Sequence, residues 1–160
     1  MNEAEKFAAQ VAKNIEGLMD DHELRAKTVD WMIDVGVKHQ YSYNFSWMGR
    51  PIIQFPQDMV AMQELIWKIQ PDVIVETGIA HGGSLIYYAS LLELNAICGG
   101  PADAKVIGID IDIREHNHKT ILEHPISRRI DMVQGSSIAE ETIEKVKGMV
   151  GSGKTAMVVL

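Results

Sequence analysis

Three short clusters of acidic, small and hydroxylated residues stand out as groups able to hold a ligand. The first is "ETGIAHGGS", Glu76 to Ser84. Gly78, Gly82 and Gly83 let backbone approach a ligand closely, and a helix starting there offers free N–H groups to an anion. Ser84 is suited to capping that helix. Glu76, just before the turn, is placed to accept hydrogen bonds from a cationic amine. His81 lies inside the glycine turn, where loop structure and ligand contact are its expected roles. The spacing is G-x-x-x-G-G, not the G-x-G-x-x-G of a dinucleotide site, so the loop suits an amino-acid-like end better than a pyrophosphate.

The second cluster is "IDID", with Asp110 and Asp112. A carboxylate at the end of a strand can accept from both vicinal hydroxyls of a ribose, and Asp110 is the candidate. Asp112 points the same way if the strand persists. The third is "QGSS", where Gly135, Ser136 and Ser137 could receive a flat base or could cap the next helix. An amino-acid end, a ribose and a base together describe S-adenosylmethionine.

Two other motifs compete. "GMVGSGKT", Gly148 to Thr155, satisfies the phosphate-loop pattern G-x-x-x-x-G-K-[ST]. A phosphate loop needs a strand before its glycines and a helix after them. Here a helical segment precedes and the apolar "AMVVL" follows, so the glycines are expected to end a helix and turn the chain. "HNH", with His116, His118 and the nearby His124, invites a metal reading. Residues two apart on a helix face different ways, and no zinc-type spacing supports a site. The histidines are expected on a helix surface, with no metal ligand assigned.

These clusters need a scaffold that gathers strand ends. "VIVETG", "KVIGIDID", "IDMVQGSS" and "AMVVL" read as buried strands, separated by helical segments. The alternation predicts an α/β fold with a parallel sheet and right-handed crossovers. Ligands bind such sheets at the carboxyl ends of the strands. Upstream, Phe7, Val11, Ile15 and Leu18 form one helical stripe. A second helix is expected from about Asp21, with Leu24, Trp31, Met32 and Val35 inward, fraying near Gly36. The segment "KHQYSYNFSWMGRPIIQFP" reads as an ordered loop whose aromatics Tyr41, Tyr43, Phe45 and Trp47 pack as a lid or line a ligand. A third helix follows Pro56, with Met59, Met62, Ile66 and Ile69 on one face. Residues 1–50 are expected to form a helical segment and loop, and residues 51–160 the cofactor-binding half of a domain.

The net charge of −7, with 15 basic residues scattered among 22 acidic ones, argues against nucleic acid or an anionic membrane as partner. The single Cys98 suits a reducing, cytoplasmic setting. No apolar run approaches a membrane span, and the N-terminus lacks the layout of a signal peptide.

The stretch "WMGRPIIQFPQDMVAMQELIWKIQPDVIVETGIAHGGSLIYYA", followed by "VIGIDIDIR" and "VQGSS", resembles the cephalosporin hydroxylase family. The resemblance runs from about Trp47 to Leu160. It implies a Rossmann-like, S-adenosylmethionine-dependent O-methyltransferase with strand order 3-2-1-4. It further implies that Glu76, Gly78, His81, Gly82, Gly83 and Ser84 hold the methionine part. Asp110 then binds the ribose, and Gly135, Ser136 and Ser137 lie near the adenine. The implied acceptor is a small hydroxylated molecule such as a sugar-bearing natural product. Some relatives use a divalent cation, and magnesium would then be held by residues after the fourth strand. The sequence stops at that strand, leaving "MVVL" as an apolar edge, so a longer protein is expected. The catalytic base is not assignable. A homo-oligomer is expected from the apolar stripes of the first helices. The alternatives are an NAD-type nucleotide binder and a non-catalytic methyltransferase fragment serving oligomer contacts.

Overall fold

The computed structural model describes residues 1–160, in two compact units, Met1–Tyr41 and Ser42–Leu160. The first unit is a pair of helices, α1 (Glu3–Asp20) and α2 (His22–His39). Both start on polar caps. Asn2 accepts from the Glu5 N–H at 2.9 Å while Glu5 reaches back to the Asn2 N–H, and Asp21 accepts from Leu24 at 2.9 Å. α2 runs one turn beyond the expected fraying at Gly36. It stops where Gln40 takes a left-handed conformation and returns its N–H to Gly36. No residue of either helix is buried: Phe7, Ile15 and Leu18 are exposed, as are Leu24 and Trp31. Only Met32 and Val35 of the expected inward face are half-buried.

The second unit opens differently from its expected loop. After a short 3-10 turn, β1 (Phe45–Trp47) and β2 (Arg50–Ile52) form an antiparallel hairpin. Met48 and Gly49 both have positive φ, as a two-residue primed hairpin turn requires. The hairpin is anchored by Trp47, whose indole N–H donates to Ser90 at 3.0 Å and whose ring meets Tyr87 edge-on. α3 (Pro56–Ile69) begins with Pro at N1 and buries Ile66; Met59 and Met62 pack partly against the core, while Ile69 stays exposed.

The sheet is built from β3 (Val73–Thr77), β4 (Lys105–Asp110), β5 (Ile130–Gln134) and β6 (Ala156–Val159), all parallel in the order β5-β4-β3-β6. In the order in which the chain makes them, this is 3-2-1-4, a Rossmann-like arrangement. The intervening helices are α4 (Gly83–Ile97), α5 (Glu115–Leu122) and α6 (Glu140–Val150). Alternate residues of β3 serve two cores. Ile74 joins Leu85, Ile86 and Tyr88 of α4 on one face, and Val73 and Val75 join Ile107, Val133 and Val146 of α6 on the other. α4 is apolar nearly all round because sheet, hairpin and α3 enclose it. β6 pairs with β3 along one side only, and Val158 on it is largely exposed. No helix is long and apolar enough to cross a membrane.

Candidate functional site

The loop between β3 and α4 is held by side chains from three other elements. Gly78 donates its N–H to the Ile109 carbonyl at 2.8 Å and turns the chain with φ +89°, a conformation that favours glycine. Asp110, at the end of β4, accepts the Ile79 N–H at 2.7 Å and the Ala80 N–H more weakly at 3.4 Å. Asn117, buried on α5, donates its amide to the Ala80 carbonyl at 2.8 Å. Arg50, on β2, donates through Nε and Nη2 to the His81 carbonyl and through Nη2 to Asn117 Oδ1 at 3.2 Å. Ala80 is thereby kept at φ +46°, which costs a residue with a Cβ about 1 kcal/mol.

Arg50 and Asn117 went unrecognised in the sequence. Asn117 lies between the two histidines that drew notice, and its signal is a polar residue four before the apolar Ile121 on the same helix face. Asn117 is buried and Arg50 is half-buried.

Several expectations about the first cluster change. Gly82 and Gly83 leave room for the protein itself: a Cβ on Gly82 would strike Ile121, and one on Gly83 would strike the Pro51 carbonyl. Gly78 alone of the three has open space where its Cβ would be. Ser84 does not cap α4, whose N-cap is Gly82 without a side-chain bond. Its hydroxyl instead donates to Glu76 Oε2 at 2.7 Å. His81 contributes its carbonyl to the loop, and its side chain is exposed.

Glu76 is 6% exposed, on the α4 side of β3. Burial pushes its carboxyl from 4.5 up to about 7, against the opposing effect of hydrogen bonds from Ser84 and Tyr88. It lines a cavity of about 100 Å³ together with Gln54, Gly78, Ala80 and Ser84.

On the far side of Gly78 a wider cleft of about 400 Å³ is lined by Thr77, Ile109, Asp110, Gly135, Ser136 and Ser137. Here the ends of β3, β4 and β5 meet, bringing the three clusters together. Burial alone would raise the Asp110 carboxyl, yet the N–H groups of Asp112, Ile79, Ala80 and Ile111 outweigh it and hold the group below its ordinary value. Three of these N–H groups lie within hydrogen-bond distance, at 2.7, 3.4 and 3.0 Å, so the carboxylate has less capacity left than the two acceptors expected for a ribose diol. Gly135 packs against Thr142 of α6 and donates to the Asp110 carbonyl at 2.8 Å. The serines do not cap α6, because its N-cap is Ala139.

Asp112 does not share a strand face with Asp110. β4 ends at Asp110, and the Asp112 N–H folds back onto Asp110 Oδ1 at 3.0 Å. Its side chain is exposed near Arg114. His116 and His118 are exposed on α5. His124 Nδ1 accepts from the Ile126 N–H at 3.3 Å, so Nε2 carries the proton and donates to the Met48 carbonyl at 3.0 Å. No three His, Cys, Asp or Glu are grouped to hold a metal.

The phosphate-loop look-alike lies at the opposite, amino end of the sheet. Gly151 ends α6 with φ +78°, and the chain enters β6. Lys154 pairs with Asp72 at 3.0 Å, and the Thr155 N–H donates to the same carboxylate at 2.9 Å. Those contacts hold the Asp72 carboxyl below its usual range, the Thr155 N–H first and Lys154 second.

Comparison with known proteins gives the site its context. The family described as Rhamnosyl O-methyltransferase/CmcI matches residues 39–160. A rhamnosyl O-methyltransferase of Mycobacterium leprae is 27% identical over 104 residues, covering 64% of this chain and 40% of the relative. A solved structure of CmcI with Mg and SAM is similar at 25% identity and TM-score 0.50, covering 66% of this chain and 41% of that one. A second CmcI structure, with SAH, is 27% identical with TM-score 0.43, covering 57% and 43%. The chain spans about 40% of the length of the curated relative. With three quarters of its own length matched in one continuous run, the chain belongs to the Rhamnosyl O-methyltransferase/CmcI family, the cephalosporin hydroxylase family that its motifs resemble.

Proposed function

We propose that this chain binds S-adenosylmethionine across the carboxyl ends of β3, β4 and β5, as the cofactor-holding part of an O-methyltransferase. The observation that carries the reading is the cleft itself: acid, glycine loop and serine pair border two adjoining cavities that share Gly78. The residues fit the cofactor. Glu76 offers a buried acceptor to its ammonium, and Asp110 retains an acceptor for a ribose hydroxyl. Gly78 leaves its Cβ space open, while Ser136 and Ser137 supply small polar contacts for a base. His81, Gly82, Gly83, Ser84 and Gly135 contribute by shaping the loop and its surroundings.

When bound, the cofactor supplies a methyl group made electrophilic by its sulfonium. The chain's task is to hold and orient it, through a loop whose geometry is set in advance by Asp110, Asn117 and Arg50. The acceptor in this reading is a hydroxyl of a small, sugar-bearing molecule, in keeping with the rhamnosyl O-methyltransferase among its relatives. Magnesium belongs to the same reading because the similar CmcI structure contains it with SAM. Its ligands would lie outside the three clusters. A homo-oligomer is supported by the exposed apolar stripe of Phe7, Ile15 and Leu18, and a cytoplasmic setting without nucleic-acid or membrane partners by the acidic charge and lone Cys98.

Calorimetric titration with S-adenosylhomocysteine and with NADH tests the cofactor assignment. Binding of the former in preference to the latter is expected, and preference for NADH overturns it. Light scattering of the wild type and of Phe7→Glu tests assembly; a wild-type monomer overturns the oligomer.

A further inference from the structure

Gln54, two residues beyond β2, lines the same small cavity as Glu76. Its Nε2 donates to the Tyr88 hydroxyl oxygen at 3.1 Å. Tyr88 has a single O–H, and that hydrogen bonds to Glu76. The Tyr88 oxygen is thus left to accept from Gln54, which fixes the orientation of the amide and makes Oε1 its other end. Gln54 Oε1 is buried and has no donor. A buried acceptor in that state is costly unless a ligand supplies the donor.

Glu76 is a second acceptor bordering the cavity. It receives hydroxyl hydrogens from Ser84 and Tyr88, and neither Lys nor Arg lines the space, whose one imidazole is that of the exposed His81. Two acceptors, a volume of about 100 Å³ and the lack of a lining Lys or Arg match a small cationic donor with several N–H groups.

We propose that Gln54 Oε1 and Glu76 together form an ammonium subsite, with Gln54 specifying the α-amino group at the amino-acid end of the ligand. The assignment rests on the S-adenosylmethionine reading and adds a specificity-determining residue to it. Tyr88 is the positioning residue, since its one O–H dictates which end of the Gln54 amide is presented. Ligands with the same nucleoside but no amine gain nothing from this subsite.

The test compares S-adenosylhomocysteine with 5′-methylthioadenosine, which lacks the amino-acid end, by calorimetry on the full chain. Gln54→Met is expected to weaken S-adenosylhomocysteine at least about tenfold and to leave methylthioadenosine within about twofold. Gln54→Glu, which keeps an acceptor, is expected to retain most of the affinity. Undiminished S-adenosylhomocysteine binding by Gln54→Met, or equal losses for both ligands, overturns the subsite. A readout independent of variant folding is the Gln54 side-chain amide resonance in the wild type. It should shift with S-adenosylhomocysteine and not with methylthioadenosine; the reverse, or no shift, overturns the proposal. Failure of the wild type to bind either ligand overturns the cofactor reading as well, and so is distinguishable from failure of the subsite alone.

Discussion

The carboxylate of Asp110 accepts the backbone N–H of Ile79 at 2.7 Å, tying the end of β4 to the glycine loop that follows β3. Asp110 therefore has two duties, holding the loop and meeting a ribose hydroxyl. Asp110→Ala should weaken S-adenosylhomocysteine by at least ~1 kcal/mol and also lower the melting temperature without ligand. Asp110→Asn retains one acceptor oxygen and should fall between. Unchanged affinity in the alanine variant removes Asp110 from the ribose role, even if stability drops.

Asn117 and Arg50 donate to the Ala80 and His81 carbonyls of the loop, whereas Asp110 accepts its Ile79 and Ala80 N–H groups. Asn117→Leu should weaken S-adenosylhomocysteine several-fold while raising amide exchange at residues 79–82, because the Ala80 carbonyl and Arg50 lose a shared partner. Ala80→Gly tests the strain in the same loop. At φ +46° glycine is the easier residue, so this variant should match or exceed wild-type stability by up to ~1 kcal/mol. Destabilisation by Ala80→Gly would mean that the loop is not held in the left-handed region.

Lys154 faces Asp72 rather than a phosphate. Lys154→Ala should leave S-adenosylhomocysteine affinity unaltered and reveal no ATP binding to lose. Asp72→Ala should destabilise more than Lys154→Ala, because that carboxylate also accepts the Thr155 N–H. A tight ATP complex abolished by Lys154→Ala would restore the phosphate-loop reading.

The parallel sheet was legible because runs such as "VIVETG" and "KVIGIDID" are apolar on both faces, which only an enclosed parallel strand requires. The order of helix, glycines and strand also exposed "GMVGSGKT" as a turn. The hairpin was not legible: each of its strands has three residues, too few to establish a period, and Pro51 in one of them argues against a strand. Arg50, Gln54 and Asn117 stayed hidden for a related reason. Their partners are the His81 carbonyl, Tyr88 and the Ala80 carbonyl, each more than thirty residues away along the chain. Residue type shows that a side chain can donate or accept, whereas only the folded backbone decides with whom. The glycine loop shows the same limit, since Gly82 and Gly83 admit Ile121 and Pro51, both contributed by other elements.

Glu76 ties stability to pH in a direction opposite to that of most carboxylates. Its carboxyl is raised from 4.5 to about 7, chiefly by burial, so between those values the folded chain keeps a proton that the unfolded chain has released. Stability contributed by this group therefore falls as pH rises from about 4.5, and the full penalty is reached above about 7. A shift of that size corresponds to roughly 3 kcal/mol. Glu76→Gln removes the titration, so the variant should unfold at higher temperature than wild type at pH 8 and lose that advantage near pH 5. Saturating S-adenosylhomocysteine should narrow the gap at pH 8, because a ligand ammonium stabilises the ionised carboxylate of the wild type and gains less from an amide. The same linkage makes wild-type binding stronger at pH 8 than at pH 6 and accompanied by proton release, which appears calorimetrically as a dependence on the buffer's ionisation enthalpy. Equal melting shifts for the variant at both pH values would show that Glu76 ionises normally in the folded chain, and would leave the buried acid without its proton-linked role.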